Sequence, residues 1–156
     1  MKKIIIAEND PNFKNDIAAQ PGAESFMRCF TCGTCTASCP VAEVHDEYDP
    51  RKIIRMSILG MRKEVLSSDI LWMCSRCYTC AALCPQNVKF TDVISILRDM
   101  AVKEGYAPRE RLDKARELDK AIQSLRCKII DSKLHPDQRD SKEIIKALED
   151  ELKKEW

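Results

Sequence analysis

Apolar positions along this chain recur mostly at helical spacing. Ile54, Ile58, Met61 and Val65 follow one another at i, i+4, i+7 and i+11, the period of one helix face. Asp49-Pro50 opens that run with an N-cap and a proline at the first helical position. Gly60 interrupts it and predicts a division into two helices, and Ser67-Ser68-Asp69 stops it. A further helix is expected from Val93 to Glu104, capped by Thr91 or Asp92 and closed by Gly105 at C′. Pro108 opens another, with Leu112, Ala115, Leu118, Ile122 and Leu125 on one side; Cys127 to Ile130 is a short apolar run, and Leu134-His135-Pro136 breaks the chain. Asp140 and Glu143 form a capping box for a last helix with the stripe Ile144, Leu148, Leu152 and Trp156. So short a helix is marginal alone in water, so its apolar face is expected to dock on this domain or on a partner. At the other end, Ile4–Ile6 reads as a short strand, Asn12–Ala19 as a helical turn or two, and Pro21-Gly22 as punctuation. From Ala23 a short helix carries Phe26 and Met27 onward, and no alternating strand pattern appears between Cys29 and Gly105. That region is expected to be mostly helical.

Two cysteine ladders sit between these helical stretches. The first is Cys29-x2-Cys32-x2-Cys35-x3-Cys39-Pro40 and the second Cys74-x2-Cys77-x2-Cys80-x3-Cys84-Pro85, 45 residues later and with every spacing kept. Eight of the nine cysteines fall inside them. This run is the bacterial-type ligand pattern of a [4Fe–4S] cluster, and in two-cluster proteins its fourth cysteine ligates the other cluster. The expected ligand sets are therefore crossed: Cys29, Cys32, Cys35 and Cys84 for one cluster, and Cys74, Cys77, Cys80 and Cys39 for the second. Small residues between the cysteines (Thr31, Gly33, Thr34, Ala37, Ser38) suit a bulky anionic group that backbone N–H groups must approach. Two all-thiolate zinc sites are the competing reading, but zinc needs two C-x2-C pairs rather than a three-cysteine ladder ending in x3-C-P. A purely structural role for two closely linked clusters is the other.

Composition narrows the functions further. The 156 residues carry 26 Lys+Arg against 25 Asp+Glu, a formal net charge of +1 with no basic block, which offers no field for nucleic acid or an anionic membrane. No segment approaches the roughly 20 apolar residues of a membrane span, and the apolar run after Met1-Lys2-Lys3 is too short for a signal peptide. Nine cysteines without an export signal point to a reducing compartment, by default the cytoplasm. No catalytic residue is expected: all eight ladder positions are ligands, and His45 and His135 share no ligand spacing. Cys127 reads as a packed apolar residue. Phe30, Trp72 and Tyr78 flank ligands, where they shield the clusters or simply pack, and Arg28 and Arg76 stand beside ligands as candidates to offset cluster charge.

With the ladders, the helical spacer and the tail together, the chain resembles the C-type iron–sulfur subunits of heterodisulfide reductase. The resemblance is carried by Cys29-Phe-Thr-Cys-Gly-Thr-Cys-Thr-Ala-Ser-Cys-Pro40, Pro50-Arg-Lys-Ile-Ile-Arg-Met56, Leu59-Gly60, Trp72-Met-Cys-Ser-Arg-Cys-Tyr-Thr-Cys-Ala-Ala-Leu-Cys-Pro85 and the Asp92-Val-Ile helix, over about residues 22–106. It implies an all-α fold, the alpha-helical ferredoxin with two [4Fe–4S] clusters; outside the matched stretch the residues themselves read as an N-terminal arm (1–21) and a charged helical C-terminal extension (107–156). It also implies a relay role in a hetero-oligomer, between an A-type subunit bearing flavin and clusters and a B-type catalytic subunit. In that family the B-type protein reduces a disulfide such as that of coenzymes M and B on clusters held by Cys-Cys-Gly motifs. This chain contains no Cys-Cys pair, so it is expected to carry electrons without a substrate-converting site of its own. The alternatives are a freestanding two-cluster ferredoxin, or the equivalent relay subunit of a related complex with a different substrate.

Overall fold

Helices carry the chain throughout the computed structural model, which describes residues 9–135 and 141–153; no strand occurs among the described residues. The architecture is all-α, as expected. The strand expected at Ile4–Ile6, the capping residue Asp140 and the stripe residue Trp156 lie outside the described residues. The chain divides into two units, Met1–Pro108 and Arg109–Trp156.

In the first unit, α1 (Phe13–Ala18) places Phe13 and Ile17, one helical turn apart, in the core with no exposed surface. The N-terminal stretch expected to form an arm or cover thus supplies two core side chains. A 3₁₀ turn at Phe26–Arg28 buries Phe26 and leads into the first ladder. Short helices α2 (Thr34–Ala37) and α3 (Pro40–Val44) follow, the second opened by Pro40 at its first position.

The spacer folds as its pattern predicts. Asp49 caps α4 (Pro50–Ile58) by accepting from the Lys52 N–H at 3.0 Å, and Pro50 stands at the first turn, where its missing N–H costs no helical bond. Ile53, Ile54 and Ser57 face inward. Gly60 separates α4 from α5 (Arg62–Leu66) with φ 79°, a region glycine enters without steric cost. Space makes the glycine necessary as well: a Cβ there would stand 2.3 Å from the carbonyl oxygen of Asp10, whose own N–H donates to Gly60 O at 2.8 Å. Ser68 then caps a 3₁₀ turn over Asp69–Met73 that delivers the chain to Cys74.

After the second ladder come α6 (Thr79–Leu83) and α7 (Phe90–Lys103). Helix α7 begins earlier than expected, and neither Thr91 nor Asp92 caps it. Lys89, in the left-handed conformation, occupies the N-cap without a side-chain bond. Phe90 and Thr91 are drawn into the buried first turn, at 2% and 1% exposure. Burial of Phe90, Val93, Ile94, Leu97 and Ala101 along one face secures the helix; a fully buried large apolar side chain contributes about 1.5–3 kcal/mol. Gly105 closes it at C′ as expected, with φ 78°.

The second unit is a helical pair. Helix α8 (Arg109–Leu134) runs unbroken through the Cys127–Ile130 segment, and α9 (Ser141–Leu152) packs against it. The pair leaves much of its apolar stripe in water, with Leu118, Ile122, Ile129, Leu148 and Leu152 all exposed.

Candidate metal centre

Each ladder wraps its cysteines around a hollow by the same backbone device. Two residues per ladder, at matching positions, adopt positive φ: Thr31 (60°) and Gly33 (87°) in the first, Arg76 (49°) and Tyr78 (63°) in the second. For the three non-glycines this conformation costs on the order of 1–3 kcal/mol each. Alternating hand of this kind turns successive N–H groups toward one concave side, a cradle for an anion. A short helix follows immediately in both copies, α2 and α6, and the two helices pack on each other. That contact joins the ladders.

The eight ladder thiols surround two neighbouring cavities. Cys29, Cys32, Cys35, Cys80 and Cys84 line the first, together with Phe30, Thr31, Gly33, Arg51, Ile54 and Val88. Cys39, Cys74, Cys77 and Cys80 line the second, with Val41, Tyr48, Pro50, Tyr78 and Thr91. Cys80 and Phe90 belong to both linings, so the cavities share a wall. The Cys80 sulfur lies 3.4 Å from the Thr91 hydroxyl, which lines only the second.

Hydrogen bonding repeats between the copies as well. The Cys32 sulfur lies 3.4 Å from the Thr34 hydroxyl and that of Cys77 3.4 Å from the Thr79 hydroxyl, each threonine two residues beyond its cysteine. In the second ladder the Val88 N–H adds a bond to the Cys84 sulfur at 3.4 Å. The hydroxyl and N–H of Thr34 hold the Cys32 thiol below the ordinary range. At Cys77 burial pushes upward, but the Thr79 hydroxyl and N–H outweigh it and the thiol ends below the ordinary range too. The third cysteine of each ladder behaves oppositely. Burial pushes Cys35 up to about 11, with Cys29 and Cys80 adding to the rise, and raises Cys80, with Cys74, Cys77 and Cys39 adding. Thiolates crowded and buried in this way need positive charge among them, which iron supplies.

Among the described residues no three His, Cys, Asp or Glu side chains converge on a single-ion position. The thiols are instead shared out around two adjoining cavities, and all-thiolate sets of this spacing are the ligands of a [4Fe–4S] cluster. The residues present therefore fit two [4Fe–4S] clusters.

Other residues singled out by sequence fall where chemistry is not built. His45 and His135 are exposed, and His135 pairs with Asp131 one turn back at 3.0 Å. Cys127, expected to pack, is instead exposed on α8. Phe30 and Tyr78 line the cavities but are 57% and 46% exposed, so they form rims rather than shields. Arg76 donates to the Tyr78 hydroxyl at 2.8 Å, while Arg28 is exposed. Tyr48, Thr91 and Arg98 had no local signal. The matched threonines did, standing at the same place in both ladders.

An all-helical scaffold that gathers eight ladder cysteines around two cavities with a shared wall defines an iron–sulfur protein of the two-cluster class. Residues 25–88 match the family model of the 4Fe-4S dicluster domain, and the chain binds two [4Fe–4S] clusters. Its relatives point nearer still: the chain is similar to the C-type subunits of heterodisulfide reductase. It is 42% identical over 97 residues to the C-type subunit of the H(2):CoB-CoM heterodisulfide,ferredoxin reductase of Methanothermobacter thermautotrophicus, covering 62% of this chain and 51% of the relative. To the C-type iron-sulfur subunit of the CoB--CoM heterodisulfide reductase of Methanopyrus kandleri it is 40% identical over 111 residues, 65% of this chain and 57% of the relative. The C-type subunit of the Ferredoxin:CoB-CoM heterodisulfide reductase of Methanosarcina acetivorans is 44% identical over 85 residues, 54% of this chain and 34% of the relative. The chain thus spans about half the length of the first two. Among the described residues no helix is long and apolar enough to cross a membrane.

Proposed function

We propose that this chain is the electron-relay subunit of a heterodisulfide reductase-like complex, set between a flavin- and cluster-bearing protein and a catalytic protein with Cys-Cys-Gly motifs. The catalytic partner would reduce a disulfide such as that of coenzymes M and B. The observation that carries this reading is the pair of cysteine-lined cavities with a common wall, in a chain similar to the C-type subunits. Two [4Fe–4S] clusters supply one-electron transfer at potentials set by their surroundings. The chain's own residues bind and orient them. We assign Cys29, Cys32, Cys35 and Cys84 to one cluster and Cys74, Cys77, Cys80 and Cys39 to the other, an arrangement supported by the two linings and by the bond between Cys80 and Thr91.

Residues 22–106 form the working domain in this reading. Substrate conversion falls to the partner, in keeping with ladders whose cysteines are all used as ligands. Nine cysteines without a disulfide support a reducing compartment, and we place the complex in the cytoplasm.

Gentle anaerobic isolation of the native assembly, with its subunits identified and its iron counted, tests the proposal. A stable complex with a flavoprotein and a Cys-Cys-Gly protein is expected, with about eight irons on this chain. A lone monomer that exchanges electrons with several unrelated enzymes would replace the relay role by that of a freestanding ferredoxin.

A further inference from the structure

Tyr48 is almost wholly enclosed, at 1% exposure, and its hydroxyl has no hydrogen-bond partner of good geometry in the protein. Buried donors are seldom left in that state, because an unmade bond carries the full desolvation cost. The residue lines the second cavity together with Cys39 and Cys74. The same Cys74 is held from α7 by Arg98. This guanidinium, 3% exposed, donates to Leu71 O at 2.8 Å and to Cys74 O at 3.0 Å. A buried hydroxyl without a well-formed bond lines the cavity of Cys74, and a buried cation holds that cysteine's carbonyl.

We propose that Tyr48 donates its O–H to a sulfur of the cluster held by Cys39, Cys74, Cys77 and Cys80 and, with the charge of Arg98, sets that cluster's reduction potential above its neighbour's. This rests on the ligand sets proposed above. Reduction adds one electron to a cluster already negative, so a hydrogen-bond donor and a weakly screened positive charge stabilise the reduced form more than the oxidised one. The first cavity has no equivalent of this tyrosine and buried cation, and its Val88 N–H on Cys84 at 3.4 Å is balanced by the Thr91 hydroxyl 3.4 Å from Cys80 in the second. No tyrosine lines it, and its cation, Arg51, is 49% exposed and lies 4.0 Å from Asp49, open to screening by solvent. The threonine bonds do not distinguish the cavities, because Thr34 on Cys32 is matched by Thr79 on Cys77. An electron shared between the two clusters consequently rests on the second.

The test is a dithionite titration of the anaerobically loaded full chain, followed by electron paramagnetic resonance and preceded by iron analysis. In Tyr48→Phe one of the two midpoints is expected to fall by about 59 mV, which is a tenfold loss in a one-electron equilibrium, while the other stays. The midpoint that falls should be the higher one in wild type, and the one that Cys77→Ser also moves. Arg98→Gln, which removes the charge, should lower the same midpoint and keeps the test open if Tyr48→Phe does not load. Midpoints unmoved in both variants, or a shift confined to the cluster that Cys77→Ser leaves alone, would overturn this proposal and leave the two-cluster reading standing. Wild-type iron far short of about eight per chain would overturn both.

Discussion

Asp49 joins a helix to a cluster ladder through one carboxylate. It accepts from the Lys52 N–H at 3.0 Å as the cap of α4 and from the Thr36 hydroxyl within α2, and Thr36 in turn accepts from the Arg51 N–H at 3.1 Å. Partial burial pushes the Asp49 carboxyl upward, but the Thr36 hydroxyl, the Lys52 N–H and Arg51 outweigh it and hold it below its ordinary 3.8. A carboxylate depressed on folding contributes stability that is present above its unfolded value and lost as pH falls through the folded one. Asp49→Ala is expected to cost about 1–2 kcal/mol near neutral pH, within the range of an N-cap loss. The gap from wild type should narrow once the pH is taken below roughly 4. Urea midpoints of the loaded protein at several pH values measure it, and a gap that widens in acid would contradict the assignment.

At the scale of elements, Arg62 holds three of them together. Its guanidinium lies 2.7 Å from Asp10, 2.7 Å from Asp16 in α1 and 2.7 Å from Glu104 at the end of α7, while its carbon Cζ sits 5.1 Å from the centre of the Phe13 ring. With a quarter of the Arg62 side chain exposed, each ion pair alone is worth little. Three acids on one cation form a network, and the stacking adds to it. Arg62→Met is expected to destabilise the first unit by about 1–3 kcal/mol, less at high salt. The loss should appear first as faster hydrogen exchange in the amides of α1, whose hold on the domain is Phe13, Ile17 and this network. Unchanged protection of α1 would show that the two buried side chains suffice.

Taken whole, the first unit is a repeat folded back on itself. Left-handed residues, threonine partners, and a second cysteine shifted down with a third shifted up recur in both ladders. The exceptions to each copy's independence are its last cysteine and Cys80, which lines both cavities. Cys39 lines the cavity of Cys74, Cys77 and Cys80, and Cys84 lines that of Cys29, Cys32 and Cys35. Cys39→Ser is therefore expected to damage the cluster of the opposite ladder, bringing iron down toward about four per chain while one paramagnetic signal survives. Loss of the Cys29–Cys35 cluster alone would show that the ligands do not cross.

Much of this was legible along the chain because it depends on local spacing. Helical periodicity and the Asp49-Pro50 start specify α4, Gly60 specifies its end, and the doubled ladder specifies both the cofactor and its stoichiometry. Such features need only neighbours a few residues away. Lys89 rather than Thr91 at the start of α7, and the exposure of Cys127, were not legible, since core packing overrides a capping preference and only the fold decides which helix face is covered. Tyr48 and Arg98 are the strongest case. One stands in the spacer and the other in the last helix of the first unit, and nothing in either stretch marks it as belonging to a cluster. Residue types and intervals determined what the protein binds. Long-range packing alone decided which buried donor and which buried charge come to lie beside the sulfurs.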